Sequence, residues 1–208
     1  GGGREHVLDP RVEASPELAR RVEADFAAHP DDPLSAFAGL GVIGSLAGPG
    51  HYAALAARLQ EGLSRFEGSA LRVTPLTRAP RLAGALGHRG EIAVKDETGQ
   101  PGGSHKVRHL AGTMLYLEAL RGSGHRRPLA ISSCGNAALA AACVARASGY
   151  ELTAFVPEDV HPGVAALLAE RGATVSVTPR LATGAGDPCY RAFRKAVEDG
   201  AVPFCCSG

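Results

Sequence analysis

From residue 91 onward, short apolar runs alternate with longer amphipathic stretches, and no other feature of the chain restricts its fold so tightly. The runs at 92–95, 129–132, 152–156, 174–178 and 202–206 have strand character, and the stretches at 106–121, 136–148, 162–171 and 188–199 have helical character. Short apolar strands, each returned by a helix, predict βαβ crossovers. The expected fold is a three-layer α/β structure: a largely parallel sheet with helices on both faces. On the helix at 106–121, Val107, Leu110, Met114 and Leu117 form one stripe that should pack on the sheet. Gly149 and Gly172 stand where two of the helices should stop and turn back.

The first 70 residues follow a different pattern and predict a mainly helical segment. Ser15-Pro16-Glu17 has the form of an N-cap followed by proline at the first helical position, opening a helix that runs toward His29-Pro30. A loop over 44–50 precedes a second helical stretch at 52–66. The expected division is a helical segment over 1–70 and an α/β domain over 71–208. The chain starts without methionine (Met114 is its only one) and stops at Gly208 just after a strand-like run, which reads as a fragment of a longer polypeptide.

Charge and composition narrow the function classes. A net charge of +1 gives no reason to expect nucleic acid or a membrane surface as partner. No stretch is apolar enough to span a bilayer, and the first residues lack the apolar core of a signal peptide, so a cytoplasmic location is expected. The five cysteines are odd in number, show no Cys-x-x-Cys spacing, and include the adjacent Cys205-Cys206. Reduced thiols are expected, with Cys143 and Cys205 acting as small buried hydrophobes and Cys205-Cys206 inside a buried strand.

Lysine is rare: Lys95, Lys106 and Lys195 are the only ones, and Lys106 lies in a glycine-rich loop, Gly102-Gly103-Ser104-His105-Lys106, at the mouth of a helix. The positive end of a helix dipole is a poor place for a cation and a suitable one for an amine that reacts neutral. Arginine cannot serve as such a nucleophile, which makes Lys106 the first candidate for covalent chemistry. A second loop, Ser132-Ser133-Cys134-Gly135-Asn136, also joins a strand to a helix. Its small residues permit close backbone approach to a ligand, its hydroxyls and N–H groups suit a carboxylate, and the Asn136 amide can donate to a phenolate-like oxygen. In a parallel sheet both loops fall at the carboxyl edge, where ligands gather.

Other chemistries fit less well. Val107 follows Lys106 where a nucleotide phosphate loop needs Ser or Thr, and no strand is followed by Gly-x-Gly-x-x-Gly. His105 and His109 have helical metal-site spacing without a third ligand, so no metal is expected. Lys95 and Glu97 are expected to be structural.

The order of motifs is more specific than any one of them: Thr74-Pro75-Leu76, Val94-Lys95-Asp96-Glu97, Gly103-Ser104-His105-Lys106-Val107-Arg108, Ser132-Ser133-Cys134-Gly135-Asn136, Phe155-Val156-Pro157 and Arg171-Gly172-Ala173-Thr174-Val175. Over roughly residues 70 to 208 this resembles the pyridoxal-phosphate enzymes of the tryptophan synthase β type, which include threonine synthase, serine/threonine dehydratases and cysteine synthase. The resemblance implies an incomplete two-domain enzyme that eliminates or replaces a β or γ substituent on a small amino acid, and a homodimer at full length. Residue by residue, it makes Lys106 the Schiff-base lysine and Asn136 the partner of the cofactor's 3′-oxygen. Ser132, Ser133, Cys134 and Gly135 become the grip on the substrate carboxylate. Cys134 departs from the small or hydroxylated residue usual at its place. His105 is similar to the tryptophan synthase β pattern, and Asn136-Ala137-Ala138 to threonine synthase. The family's phosphate-cradling glycine loop and the residue facing the pyridine nitrogen belong to the C-terminal half, and Gly184-Ala185-Gly186-Asp187 does not fit that loop. A fragment without that half should hold the cofactor poorly. The alternative is a non-catalytic small-molecule-binding or interaction domain on the same fold.

Overall fold

A computed structural model describes residues 16–35, 48–121, 124–179 and 186–206. The N-cap expected at Ser15, the loop at 44–47, Gly184-Ala185 and the terminal Gly208 lie outside the described residues.

The central sheet has four strands, all parallel: β3 (Leu129–Ser132), β4 (Leu152–Pro157), β5 (Thr174–Thr178) and β6 (Val202–Pro203), in the order β5-β4-β3-β6. Three helices make the crossovers: α5 (Asn136–Ala147), α6 (Pro162–Glu170) and α7 (Pro188–Glu198). Alternate residues of the strands feed two cores, as the pleat requires. Leu129, Ile131, Ala154 and Val156 face α5, while Ala130 and Phe155 face Cys189 and Phe193 of α7. Helices therefore cover both faces, as the alternation predicted. Gly149 and Gly172 end α5 and α6 with φ of 71° and 79°.

Before the sheet come α1 (Pro16–Ala28), α2 (Pro49–Glu67), β1 (Leu76–Arg78), α3 (Pro80–Ala85), β2 (Ala93–Lys95) and α4 (Lys106–Arg121). The run at 92–95 does form a strand, but outside the parallel sheet. It pairs antiparallel with β1, Leu76 opposite Lys95 and Thr77 opposite Val94, and both strands are exposed throughout. Val107, Leu110 and Met114 of α4 are buried and Leu117 packs at the core's edge, but α4 rests chiefly on helices α5 and α2 and not, as expected, on the sheet.

Helix α5 is buried nearly all round, and its alanines let other backbones come close. A Cβ at Gly62 of α2 would meet the Ala147 carbonyl oxygen at 2.3 Å, so α2 lies directly on α5. Leu55, Leu59 and Leu63 of α2 belong to the same core as α4 and α5. Gly62→Ala should overpack this crossing and lower stability by about 1–3 kcal/mol, read as a shift of the urea midpoint.

Candidate active site

The strand order reverses at one place. Crossovers α5 and α6 carry the chain from β3 outward to β5, and α7, on the other face, brings it back to β6 on the far side of β3. The carboxyl ends of β3 and β6 therefore frame a topological switch point, the position where parallel sheets open a crevice for ligands. A cavity of about 240 Å³ lies there, lined by Lys106, Ile131, Ser132, Ser133, Ala137, Cys205 and Cys206. The sheet thus brings the predicted lysine and the two predicted serines to one cavity.

Lys106 is half-buried at the first position of α4, and no other described residue accepts a hydrogen bond from its amine. The loop before it is tightly held. Gly102 and Gly103 have φ of 72° and 75°, and a Cβ at Gly102 would come within 3.1 Å of Cys143 Sγ and 3.4 Å of Ala140 Cα. Gln100, buried, exchanges hydrogen bonds with the Arg72 backbone, donating to its carbonyl at 2.6 Å and accepting from its N–H at 3.3 Å. Gly102→Ala should strain the lysine loop and lower stability by about 1–3 kcal/mol, read as a shift of the urea midpoint.

Arg108 and Glu97 fix the first turn of α4 from the other side. Arg108 donates from Nε to Glu97 Oε2 at 2.8 Å and from Nη2 to Oε1 at 3.1 Å, and the Thr74 hydroxyl donates to Glu97 Oε1 at 2.6 Å. Lys95 donates to the Thr74 carbonyl, so Lys95 and Glu97 are both structural. The Arg108 guanidinium is the main cause that holds the Glu97 carboxyl below its ordinary value of 4.5. A depressed carboxylate contributes stability that is present above its unfolded value and disappears as the pH falls through the lower folded one. Glu97→Gln should therefore destabilise the protein at neutral pH and flatten the acid limb of its stability profile below about pH 4.5, seen by denaturant unfolding at several pH values.

The rest of the serine loop diverges from the lysine. Ser132 and Ser133 also line a neighbouring cavity of about 450 Å³ with Cys134, Phe155, Pro157, Thr178, Asp187, Pro188 and Cys189. Cys134 opens into that larger space. Gly135 and Asn136 line neither cavity; Asn136 is exposed at the start of α5, and Gly135 caps that helix. His105 and His109 are both exposed.

Sequence reasoning missed Cys205 and Cys206. The strand expected over 202–206 pairs as β6 only over Val202–Pro203, with one further bond from Phe204 N–H to the Ala130 carbonyl at 2.8 Å. Phe204 is fully buried, and the chain then leaves the sheet so that both cysteines face the Lys106 cavity. Cys143 is buried as expected, but it is more than a small hydrophobe: its sulfur accepts from Arg171 Nε at 3.2 Å, and burial, with Glu67 adding to it, pushes the thiol up to about 12.

Comparison with known proteins defines the class first. A fungal L-serine ammonia-lyase from Rhizomucor miehei matches with a TM-score of 0.53 at 24% identity, covering 65% of this chain and 40% of that one. An O-ureido-L-serine synthase matches with a TM-score of 0.54 at 25% identity, over 68% and 42%. The family described as "Pyridoxal-phosphate dependent enzyme" matches residues 69–207, and the chain belongs to that family. Human serine dehydratase-like protein is 36% identical over 109 residues, 52% of this chain and 31% of the relative. Its rat counterpart is 35% identical over 131 residues, 63% and 37%. The matched segment thus spans about a third of these curated relatives.

Pyridoxal phosphate is the family's cofactor, and the residues present fit it. The Lys106 amine, without a partner among the described residues, suits an aldehyde. The Ser104 hydroxyl two positions earlier is buried without a hydrogen bond, a polar group left for something more than the described residues supply. Backbone N–H groups at the starts of α4 and α5 suit anionic oxygens. Among the described residues no helix is long and apolar enough to cross a membrane.

Proposed function

We propose that this chain is the lysine-bearing part of a cytoplasmic enzyme that eliminates the β-substituent of a small hydroxy amino acid, a carbon–oxygen lyase working as a homodimer at full length. The observation that carries this is the Lys106 amine without a described partner, set in a cavity with two serine hydroxyls at the switch point of a parallel sheet. The serine dehydratase-like relatives support elimination over replacement.

Lys106 would hold pyridoxal phosphate through its amine, and Asn136 would donate from its amide to the cofactor's 3′-oxygen. When bound, the cofactor supplies the electron sink that makes a Cα proton removable. The Ser132 and Ser133 hydroxyls, with the N–H groups leading into α5, bind and orient the substrate carboxylate; Cys134 and Gly135 complete that loop. With the cofactor bound, the Lys106 amine would be the base that takes the proton from Cα. The half-buried position of Lys106 limits the water that competes for that proton. Full-length polypeptide incubated with pyridoxal phosphate and L-serine should release ammonia and a 2-oxo acid in equal amounts. Racemisation of serine without ammonia release would contradict the elimination.

A further inference from the structure

We propose that Cys206 is the proton donor to the leaving oxygen in this cavity, a role that rests on the elimination chemistry proposed above. Removing a β-hydroxyl moves two protons. One leaves Cα for the Lys106 amine; the other must reach the departing oxygen, because hydroxide is a poor leaving group. Among the described residues, the side chains around the cavity are Lys106, Ile131, Ser132, Ser133, Ala137, Cys205 and Cys206. Ile131 and Ala137 have no proton to give. Serine hydroxyls are about as weakly acidic as the alcohol they would have to protonate, and here they face the carboxylate. Thiols are by far the most acidic neutral groups in the cavity.

Of the two thiols, Cys206 makes a contact with the Lys106 backbone. Its Sγ lies 4.0 Å from the Lys106 carbonyl oxygen, in position for a weak S–H bond, although the two residues are 100 positions apart in the chain. Burial pushes this thiol above its ordinary range, with the Lys106 charge pulling the other way, so at neutral pH Cys206 carries the proton that a donor needs. The exit of the chain from β6 at Phe204 creates this placement.

The proton count closes within the cavity. The Cα–H proton passes to the Lys106 amine, the Cβ–O bond breaks, and its electrons leave on oxygen, which takes the Cys206 proton and departs as water. The Cys206 thiolate then recovers a proton from the Lys106 ammonium, restoring both groups. No oxidant or reductant takes part.

The test uses the full-length polypeptide with pyridoxal phosphate and two substrates. L-Serine needs a proton on its leaving group; β-chloroalanine, which loses chloride, does not. Cys206→Ala and Cys206→Ser should lower kcat on L-serine by about 10²-fold and change kcat on β-chloroalanine by no more than about twofold. Equal losses on both substrates, or no loss on L-serine, overturn the role. A readout independent of turnover is alkylation of wild-type cysteines followed by peptide mass analysis. Loading with pyridoxal phosphate should slow modification of Cys206, which lines the Lys106 cavity. An unchanged Cys206 rate counts against its place at the reacting centre. Borohydride labelling of Lys106 in both variants separates these outcomes: retained labelling with the predicted substrate split supports Cys206, whereas absent labelling in the wild type removes the underlying elimination chemistry itself.

Discussion

Lys106→Ala will reduce ammonia release from L-serine to background, a loss of about 10⁴-fold or more, because under the proposed elimination one side chain would serve both as attachment point and as base. Lys106→Arg will not restore it, since a guanidinium stays protonated and cannot attack an aldehyde. The same substitution should barely affect folding. The amine is half-buried and bonds to no other described residue, so the expected stability change is within about 0.5 kcal/mol. Loss of activity at unchanged denaturation midpoint is the combined signature. A large loss of stability would mean that Lys106 holds the loop rather than the chemistry.

The opposite signature is expected at Glu67. This residue ends α2, and its carboxylate takes three hydrogen bonds from Arg171 at the end of α6: from Nε at 3.1 and 3.2 Å and from Nη2 at 3.0 Å. The side chains are only 8% and 18% exposed, and Cys143 closes the pair from below. Glu67→Ala strands a guanidinium in this setting and should cost about 3 kcal/mol, with a fall of roughly 6–12 °C in Tm for a domain of this size. Arg171→Leu on that background should recover part of the loss, since the double variant buries no unpaired charge. If the single and double variants are equally unstable, the pair contributes through packing and not through charge. Neither change touches the Lys106 cavity.

What was legible in the sequence, and what was not, divides along physical lines. The runs at 129–132 and 174–178 became β3 and β5 with the same bounds, because apolar strands between helix-stopping glycines and helix-starting residues are specified locally. The run at 92–95 carries the same local signal, yet its partner is the chain at 76–78, and nothing within four residues says which sheet a strand will join. Lys106 stood out because its chemistry is rare in this chain and its loop is rich in glycine. Ser132 and Ser133 stood out as hydroxyls at a strand-to-helix turn. Cys205-Cys206 gave the opposite impression: an apolar pair after an apolar run reads as core. Only the parallel pairing of β6 with β3, which brings residue 206 to residue 106, makes them part of the site. Asn136, which motif order assigned to the cofactor, stands exposed at the start of α5.

The central claim is that Lys106 carries the cofactor, and borohydride reduction tests it most directly. Each lysine has a distinct setting. Lys95 donates to the Thr74 carbonyl, Lys195 is paired with Asp199 at 3.0 Å, and only Lys106 lines the cavity at the switch point. Full-length polypeptide incubated with pyridoxal phosphate, reduced and digested should therefore carry one pyridoxyl group, on the peptide containing Lys106. A label on Lys95 or Lys195, or protein that takes up no cofactor, would contradict it.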